Sequence, residues 1–426
     1  MRRWLLFAIV ALSSVGIVSA AQKLKPVELL AMAREQPGSA EFRDSIRASF
    51  KPEALKNGSA VSGIGPDFIW VFESEKEPVL IVDGQALPAL SRLADSKLWF
   101  QLAALRTGEP HMFIYTVGAK PVTQPIDIPC YGPDSYPKPG VPEGKISEKL
   151  IHTSKIYPGM VSEYWIYVPA AYDPETPLPL MVWQDGYALA PRMGPMRLPV
   201  VTDNLIEQKR IPPMIHVMIS PGVVGEKKLR GIEYDTVDGT YARFLLEEIL
   251  PEVSAKYNIR KDAYSRAIAG MSSGAICAFN VAWLRTDQFS RFASYIGSWA
   301  AYGWRYGQPD PKDNIDGGNV YPFKVRKEPR RNIRVWLDDG AEDMENKEGS
   351  WPLQNIQMAN SLKMAGYDFR FHFGPGVHSL SSAGSSLPEA LAWLWRDYDP
   401  AKTEETFTQD EAEKAKPMFR VRIANR

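Results

Sequence analysis

Residues 267–275 read Ala-Ile-Ala-Gly-Met-Ser-Ser-Gly-Ala, a short apolar run that leads into the pattern Gly-x-Ser-x-Gly. A helix-compatible run follows, from Ala275 to Leu284. A strand, a sharp turn and a helix in this order form a nucleophile elbow, which exposes the serine on a strained turn. Glycine is needed at 270 and 274 because a side chain there would collide with the neighbouring strand and helix. The stretch therefore predicts Ser272 as a nucleophile.

The sequence around this stretch alternates between strand-like and helix-like segments from Lys149 to about residue 400. Such alternation predicts a mostly parallel sheet flanked by helices, an α/β fold. Reactive side chains are then expected at the C-terminal ends of the strands. The candidate strands are 164–168, 180–183, 215–219, 292–296, 333–337 and 369–373, and the candidate helices are 240–257, 352–365 and 388–398.

A serine hydroxyl needs a base to take its proton, and that base needs an acid to orient it. The chain has five histidines, and after this kind of elbow the acid and then the histidine follow in sequence. Only His372 and His378 satisfy that order. His372 falls inside a predicted strand, whereas His378 lies in the loop after it, where a base belongs. We expect His378 to be the base.

The acid is expected in the loop after the preceding strand, which reads Leu-Asp-Asp-Gly-Ala-Glu-Asp over residues 337–343. Asp338 and Asp339 are still at the strand end. Asp343 lies beyond a glycine turn, where the chain can bend towards the imidazole, and it is the favoured acid. Glu342 and then Asp339 remain as alternatives, because spacing alone does not separate them.

An oxyanion hole needs two backbone N–H groups directed at the developing negative charge. The N–H of Ser273, directly after the nucleophile, is expected to be one of them. The N–H of Tyr187, after the strand-end sequence Gln-Asp-Gly, is expected to be the other. An ordinary Asp-Gly turn at 185–186 is the alternative interpretation.

An aromatic segment from Trp299 to Tyr321 follows another predicted strand end. Aromatic loops at this position shape apolar or sugar-binding pockets. Trp299, Trp304 and, from the Asp-Gly turn, Asp185 are therefore candidate substrate-binding residues. Packing of the aromatic residues against the body of the domain is an equally good interpretation.

Residues 1–20 combine a basic start, a short apolar run and a small-residue end, the pattern of a secretory signal peptide. The apolar run is shorter than the roughly 20 residues of a spanning helix. We therefore expect a periplasmic or extracellular protein with no membrane contact after cleavage.

The remaining sequence divides into segments that differ in hydrophobic pattern, proline content and charge. Residues 21–122 begin with a helical stretch and continue, from about 60 to 122, with short β-type runs and regular turns that indicate a small β-sandwich. Residues 123–148 are rich in proline and predict a stiff linker. The α/β domain is expected over 149–400, and a charged, loosely ordered tail over 401–426.

The chain carries 50 basic and 50 acidic residues, so its formal net charge is zero. That balance argues against nucleic acid or an anionic membrane as the main partner. The two cysteines, Cys130 and Cys277, are too few for a disulfide framework. We expect no bridge between them, and we expect Cys277 to be a buried, inert thiol in the helix after Ser272.

Several motifs in order resemble the esterase D-like esterases, a group that includes enterochelin esterases, feruloyl and related carbohydrate esterases, and mycolyltransferases. The resemblance covers about Lys149 to Tyr398. It implies an α/β-hydrolase fold with an N-terminal small β-sandwich domain, and serine ester hydrolysis without a metal or other cofactor. It also supports Ser272, His378 and Asp343 as the catalytic residues, with the Tyr187 and Ser273 amides as the oxyanion hole. The motifs are Asp-Gly at 185–186 and the segments 230–235, 244–251, 270–274 and 351–355.

The sequence thus predicts a secreted serine carboxylic-ester hydrolase that acts through an acyl-enzyme. Feruloyl or acetyl esters of plant polysaccharide are the favoured substrates, as small molecules or on a glycan. A siderophore trilactone esterase of the enterochelin type is the alternative enzyme. A non-catalytic binding protein on a hydrolase scaffold, and acyl transfer to an alcohol, are further alternatives.

Overall fold

The computed structural model describes residues 23–310 and 314–421. The predicted signal peptide, residues 1–20, lies outside the described residues. The described chain divides into two compact units. The first comprises residues 23–63, 67–78 and 89–103, and the second comprises residues 64–66, 79–88 and everything from 104 onwards.

Strands and helices are numbered in chain order. The strands are β1 (Ala60–Ile64), β2 (Asp67–Glu73), β3 (Val79–Val82), β4 (Gln85–Ala86), β5 (Ser91–Arg92), β6 (Leu98–Ala104), β7 (Glu109–Val117), β8 (Lys120–Pro121), β9 (Ile126–Cys130), β10 (Lys145–Ile146), β11 (Leu150–Thr153), β12 (Val161–Val168), β13 (Leu180–Gln184), β14 (Ile215–Ile219), β15 (Val223–Val224), β16 (Lys227–Lys228), β17 (Arg266–Met271), β18 (Arg291–Tyr295), β19 (Arg334–Gly340), β20 (Glu345–Asn346), β21 (Gly349–Ser350) and β22 (Phe369–Gly374). The α-helices are α1 (Pro26–Glu35), α2 (Ala40–Ser49), α3 (Pro52–Asn57), α4 (Gly186–Leu189), α5 (Leu198–Glu207), α6 (Arg230–Asp235), α7 (Thr240–Arg243), α8 (Leu250–Ser254), α9 (Ser273–Leu284), α10 (Tyr321–Lys327), α11 (Trp351–Met364), α12 (Leu380–Leu394) and α13 (Glu411–Ala415).

The first unit consists of helices α1 to α3 and a four-stranded sheet in the order β1-β2-β6-β5. Its core is an apolar cluster in which Leu29, Phe42 and Ile46 from the helices meet Ile69 and Phe100 from the sheet. The predicted helical stretch, 26–35, is helix α1, and the polar segment that follows it also contains helices α2 and α3.

A second small sheet belongs to the other unit. Its order is β4-β3-β7-β8, and β9 pairs with β7. The segment predicted as a single sandwich, 60–122, therefore supplies strands to two sheets in different compact units. The predicted linker, 123–148, contains strand β9, whose Cys130 is buried. The domain boundaries expected from the sequence stay a prediction.

The large mixed sheet has the order β16-β15-β12-β14-β13-β17-β18-β19-β22, with β10 and β11 also paired to β12. Strands β14, β13, β17, β18, β19 and β22 are parallel, and β12 is antiparallel to β14. This is the α/β arrangement that the sequence predicts.

Both faces of the large sheet are buried. Side chains alternate between the faces along a strand, so Ile268 joins one core cluster while Ala267 and Ala269 join the other. Helix α9 contributes Ile276 to the first cluster, and helix α12 contributes Leu391 to the second. Two packed layers hold the strand ends, and hence the loops beyond them, in fixed positions.

Two helices differ from their predicted bounds. The last long helix begins at Leu380 rather than Pro388, because the Ser379 hydroxyl accepts the N–H of Ser382 and caps the helix upstream. The helix predicted over 240–257 contains a π-helical segment, Phe244–Ile249, between α7 and α8. Periodicity in the sequence does not report such a widened turn.

The described part of the predicted tail ends at Val421, and it contains one buried aromatic residue. Phe407 is 2% exposed and lies against the guanidinium groups of Arg291 and Arg334. Arg330 donates a hydrogen bond to the Phe407 carbonyl. Phe407 thus completes a cluster of arginine and aromatic side chains.

Cys130 and Cys277 are both free and buried. The expectation that they form no bridge, and that Cys277 is packed in the helix after Ser272, is confirmed. Among the described residues, no helix is both long enough and apolar enough to cross a membrane.

Candidate active site

Ser272 lies in the turn between strand β17 and helix α9, as the sequence predicts. Its backbone angles are φ 55° and ψ −125°, a strained conformation for a residue with a side chain. A Cβ atom at Gly270 would lie 2.0 Å from the Gly274 carbonyl oxygen, and one at Gly274 would lie 3.0 Å from the Gln184 Cβ. The two glycines are therefore required by contact, and the turn presents Ser272 at the C-terminal edge of the sheet.

The structure brings Ser272, His378 and Asp343 together. His378 Nε2 lies 2.9 Å from Ser272 Oγ, and His378 Nδ1 lies 2.7 Å from Asp343 Oδ1. The carboxylate fixes the Nδ1–H tautomer, which leaves Nε2 as the acceptor for the serine proton. The imidazole is partly exposed and the Asp343 side chain is fully buried. A nucleophile, a base and an orienting acid are thus joined by hydrogen bonds.

The loops that carry the acid and the histidine are packed directly against each other. A Cβ atom at Gly340 would lie 2.0 Å from the Gly376 carbonyl oxygen, and the Glu342 N–H donates to that oxygen at 3.1 Å. Glu342 is exposed, so it does not compete with Asp343 for the imidazole. The close glycine contact turns Asp343 inward towards His378.

Asp339, the third candidate acid, is buried beside Asp343. Burial, together with the hydrogen bond and the charge of Asp343, raises the pKa of Asp339 well above its ordinary value. Burial opposes the ionisation of Asp343, but hydrogen bonds from His378 and Asp339 lower its pKa. The surroundings thus disfavour the charged form of Asp339, whereas the contact with His378 favours the charged form of Asp343.

The small second sheet supports the histidine loop. The hydroxyls of Ser379 and Ser382 donate to Asp127 Oδ2 at 3.2 and 2.9 Å. A Cβ atom at Gly376 would lie 2.9 Å from the Pro110 ring. Sequence reasoning missed Asp127 because it treated residues 123–148 as a linker.

Ser298 and Trp351 also border the nucleophile, and sequence reasoning gave neither a role. Ser298 Oγ lies 3.0 Å from Ser272 Oγ, and Trp351 Nε1 donates to Ser298 Oγ at 3.0 Å. The Trp351 ring packs edge-on against His378, with ring centres 5.8 Å apart. The available signals were that Ser298 follows the C-terminal end of a strand and that Trp351 begins the family motif at 351–355.

The two predicted oxyanion donors, the N–H groups of Ser273 and Tyr187, differ in whether they already have a hydrogen-bond acceptor. Ser273 is the first residue of helix α9, so its N–H has no acceptor within the helix. The Tyr187 N–H instead donates to Ser220 Oγ at 3.0 Å. It is therefore already engaged in this structure, because Gly186 is packed against the Met218 carbonyl and begins the short helix α4 beside Ser220. Its role as an oxyanion donor stays a prediction.

The two candidate substrate-binding tryptophans lie in different environments. Trp299 is 1% exposed and packs against Phe279 and Tyr321, so the structure places it in the core rather than on a binding surface. Trp304 is about half exposed and stacks on Tyr306, with ring centres 5.3 Å apart. The expectation for Trp299 is therefore not met, because packing takes up its whole ring.

Both carboxylate oxygens of Asp185 are held by one arginine. Arg230 Nε and Nη2 each donate to Asp185 at 2.9 Å, a bidentate pair. Burial opposes the charge of Arg230, but the hydrogen bond and charge of Asp185 raise its pKa. Asp185 thus stabilises the loop that carries Gly186 and Tyr187, and it presents no free carboxylate.

Residues 161–394 match the model of the family described as "Putative esterase". The chain belongs to this esterase family. The match spans strand β12 to helix α12 and includes all three residues of the hydrogen-bonded Ser–His–Asp set.

Among curated proteins, the chain is similar to an endo-1,4-beta-xylanase/feruloyl esterase of Xylanibacter ruminicola. The two are 23% identical over 250 residues, which cover 57% of this chain. The aligned region is 30% of the length of that relative.

Two solved structures resemble the chain over most of its length. One is the enterobactin esterase of Shigella flexneri in the presence of enterobactin, at 17% identity and a TM-score of 0.53, covering 85% of this chain and 99% of that one. The other is the ferric enterobactin esterase of Salmonella typhimurium, at 16% identity and a TM-score of 0.52, covering 80% and 97%. At these identities the likeness shows the fold. The predicted α/β-hydrolase fold is confirmed.

Proposed function

We propose that this protein is a serine carboxylic-ester hydrolase that works through an acyl-enzyme. The observation that carries the proposal is the unbroken hydrogen-bonded path from Ser272 Oγ through His378 to Asp343. The strained backbone of Ser272 at a strand end adds support, since it exposes the hydroxyl to a substrate.

In this mechanism Ser272 Oγ attacks the ester carbonyl carbon while its proton moves to His378 Nε2. Asp343 stabilises the imidazolium, and the Ser273 N–H stabilises the oxyanion. His378 then gives the proton to the departing alcohol oxygen, which leaves Ser272 acylated. Water, deprotonated by His378, attacks the acyl carbon, and Ser272 Oγ leaves with the proton that His378 returns.

The Tyr187 N–H is the proposed second oxyanion donor. It serves this role once it exchanges the Ser220 hydroxyl, its acceptor at 3.0 Å, for the substrate oxygen. Ser220→Ala tests this exchange, and a second donor freed in this way should leave turnover equal to or above that of the wild type.

We propose feruloyl or acetyl esters of plant polysaccharide as the substrates. The name of the Xylanibacter relative supports the feruloyl group, and the stacked, half-exposed Trp304 and Tyr306 offer flat apolar surfaces to an aromatic acid or a sugar ring. Export to the periplasm or the exterior, through residues 1–20, is part of the same proposal, because a polysaccharide substrate lies outside the cell.

A siderophore trilactone remains the alternative substrate, favoured by the solved structures with enterobactin in their descriptions. The charges near the site support a trilactone less, because Arg230 forms an ion pair with Asp185 and its charge is already balanced before a catecholate binds. A non-catalytic binding protein is a poorer explanation of three catalytic groups held at hydrogen-bonding distance.

The test is hydrolysis of p-nitrophenyl acetate, methyl ferulate and a catechol trilactone by the wild type and by Ser272→Ala. We expect turnover of an ester by the wild type, with a loss of about 10⁴-fold or more in the variant. Retained turnover in a folded Ser272→Ala would contradict the serine mechanism. A glycan acceptor added to the assay separates hydrolysis from acyl transfer by its product.

A further inference from the structure

We propose that Ser298 is a further catalytic residue, whose hydroxyl donates a hydrogen bond to the nucleophile oxygen of Ser272, and that Trp351 is the positioning residue that aims it. The proposal rests on the serine mechanism above. Ser298 Oγ lies 3.0 Å from Ser272 Oγ and 3.0 Å from Trp351 Nε1.

The direction of these hydrogen bonds follows from the chemistry of the donors. An indole Nε1 can only donate, so Trp351 donates to Ser298 and occupies a lone pair of its oxygen. His378 Nδ1 faces a carboxylate and carries the proton, so Nε2 accepts from Ser272. The Ser272 proton is thus committed to His378, and the Ser298 proton points to Ser272 Oγ. The order is Trp351 to Ser298 to Ser272 to His378.

Ser298 is fixed in this place from two sides. Its side chain is fully buried. Its N–H donates to the Ser272 carbonyl at 3.3 Å, which joins it to the elbow. On the other side, Asn355 Nδ2 donates to the Gly297 carbonyl at 2.8 Å and to the Trp351 carbonyl at 3.1 Å. The hydroxyl therefore meets the nucleophile without any rearrangement.

This donor acts on charge that exists only during reaction. As the Ser272 proton moves to His378 Nε2 and the Oγ–carbon bond forms, negative charge develops on Oγ before the bond is complete. In deacylation the same bond breaks, the electron pair returns to Oγ, and His378 delivers the proton. The Ser298 O–H stabilises Oγ in both steps and transfers no proton itself. Since it does not bind the ester, it affects kcat rather than KM.

The test compares the wild type with Ser298→Ala, Trp351→Phe and the double variant, using p-nitrophenyl acetate. We expect Ser298→Ala to lower kcat by about 10- to 100-fold, below the effect of a full oxyanion donor, with KM unchanged. Trp351→Phe keeps an aromatic ring beside His378 and removes the N–H, so we expect a smaller loss. In the Ser298→Ala background, Trp351→Phe should cause no further loss, because its effect passes through Ser298.

Ser294→Ala is the matched control. Ser294 is also a buried serine, at the end of the preceding strand β18, and among the described residues its hydroxyl has no hydrogen-bond partner. We expect wild-type kinetics. If Ser298→Ala does not fold, as judged by circular dichroism, Ser298→Cys retains the shape with a weaker donor and should give an intermediate loss of kcat.

The outcomes separate this inference from the proposed function. Turnover that persists in Ser272→Ala overturns both. An inactive Ser272→Ala beside a folded Ser298→Ala with normal kcat overturns only the role of Ser298. A loss from Trp351→Phe of the same size in both backgrounds overturns the role of Trp351, since the ring would then act on His378 alone.

Discussion

Two histidine–aspartate pairs lie within a few residues of each other at one edge of the large sheet. In both, the histidine Nδ1 is 2.7 Å from an aspartate oxygen: His378 with Asp343, and His372 with Asp338. In both, the imidazole is about one-fifth exposed and the carboxylate is nearly or fully buried. Only the first pair has its Nε2 at a serine hydroxyl.

The difference arises from where each histidine lies on the chain. His372 is within strand β22, in register with Asp338 on the neighbouring strand β19, so the sheet itself sets that pair. Asp338 also accepts the Ser386 hydroxyl, and the His372 ring stacks on Trp336. His378 lies beyond the loop 374–377, which carries it to Ser272. A carboxylate at Nδ1 is common to both pairs, so the contact between Nε2 and Ser272 Oγ is what distinguishes His378.

The largest expected difference between the pairs comes from removing each imidazole. His378→Ala removes the acceptor of the Ser272 proton, and we expect kcat for ester hydrolysis to fall by about 10⁴-fold or more. His372→Ala removes a structural partner of Asp338, and we expect kcat to stay within about threefold of the wild type, because changes outside the reacting groups act mainly on stability. Steady-state kinetics on p-nitrophenyl acetate checks both. Equal losses of kcat in the two variants would contradict the assignment of different roles to His378 and His372.

Removing the charge of each aspartate should separate the two pairs in the same direction, but with a smaller difference in kcat than removing the histidines. Asp343→Asn leaves His378 without a charged partner and permits the wrong tautomer, so we expect kcat to fall by about 10³- to 10⁴-fold with little change in the thermal midpoint. Asp338→Asn should leave kcat nearly unchanged and lower the Tm, because His372 and Ser386 lose the carboxylate that they share. A fall in kcat for Asp338→Asn as large as that for Asp343→Asn would place the second pair in the mechanism.

The local part of this site could be predicted from the sequence. Gly-x-Ser-x-Gly after an apolar run marks Ser272, and chain order with loop position separates His378 from His372. Asp343 was the best of four carboxylates because it follows a glycine turn. Each of these inferences depends on residues close together in the chain, where backbone geometry limits the outcome.

The long-range part could not be predicted in this way. Ser298 and Trp351 lie 26 and 79 positions beyond Ser272 in the chain. No local pattern marks Ser298, and the family motif at 351–355 does not show that Trp351 contacts Ser298. Asp127 supports the histidine loop from a segment whose prolines indicated a linker. Trp299 and Trp304 come from the same aromatic segment, yet packing against Phe279 buries only the first. Such burial depends on the assembled core rather than on composition.

The smallest expected effect is on the pH dependence of stability, to which the His372–Asp338 pair contributes. Burial opposes the charge of His372, but the charge and hydrogen bond of Asp338, with smaller contributions from Glu389 and Glu109, raise the pKa of His372 above its ordinary value. A raised histidine pKa stabilises the folded state fully below the unfolded pKa of about 6.5, and this stability is lost as the pH rises through the folded pKa. The wild type should therefore gain most from His372 in mildly acidic solution.

His372→Gln isolates this contribution, since every other titrating group is common to both proteins. We expect the wild type to exceed the variant in Tm by a few degrees at pH 5.5, the scale of about 1 kcal/mol in a domain of this size. The gap should narrow towards pH 8.5, as the pH rises through the folded pKa of His372 and its charge is lost. A gap that is constant, or wider at pH 8.5, would mean that His372 stabilises the sheet by packing on Trp336 rather than by its pairing with Asp338. The geometry of the His372–Asp338 pair would then follow from the strand register alone.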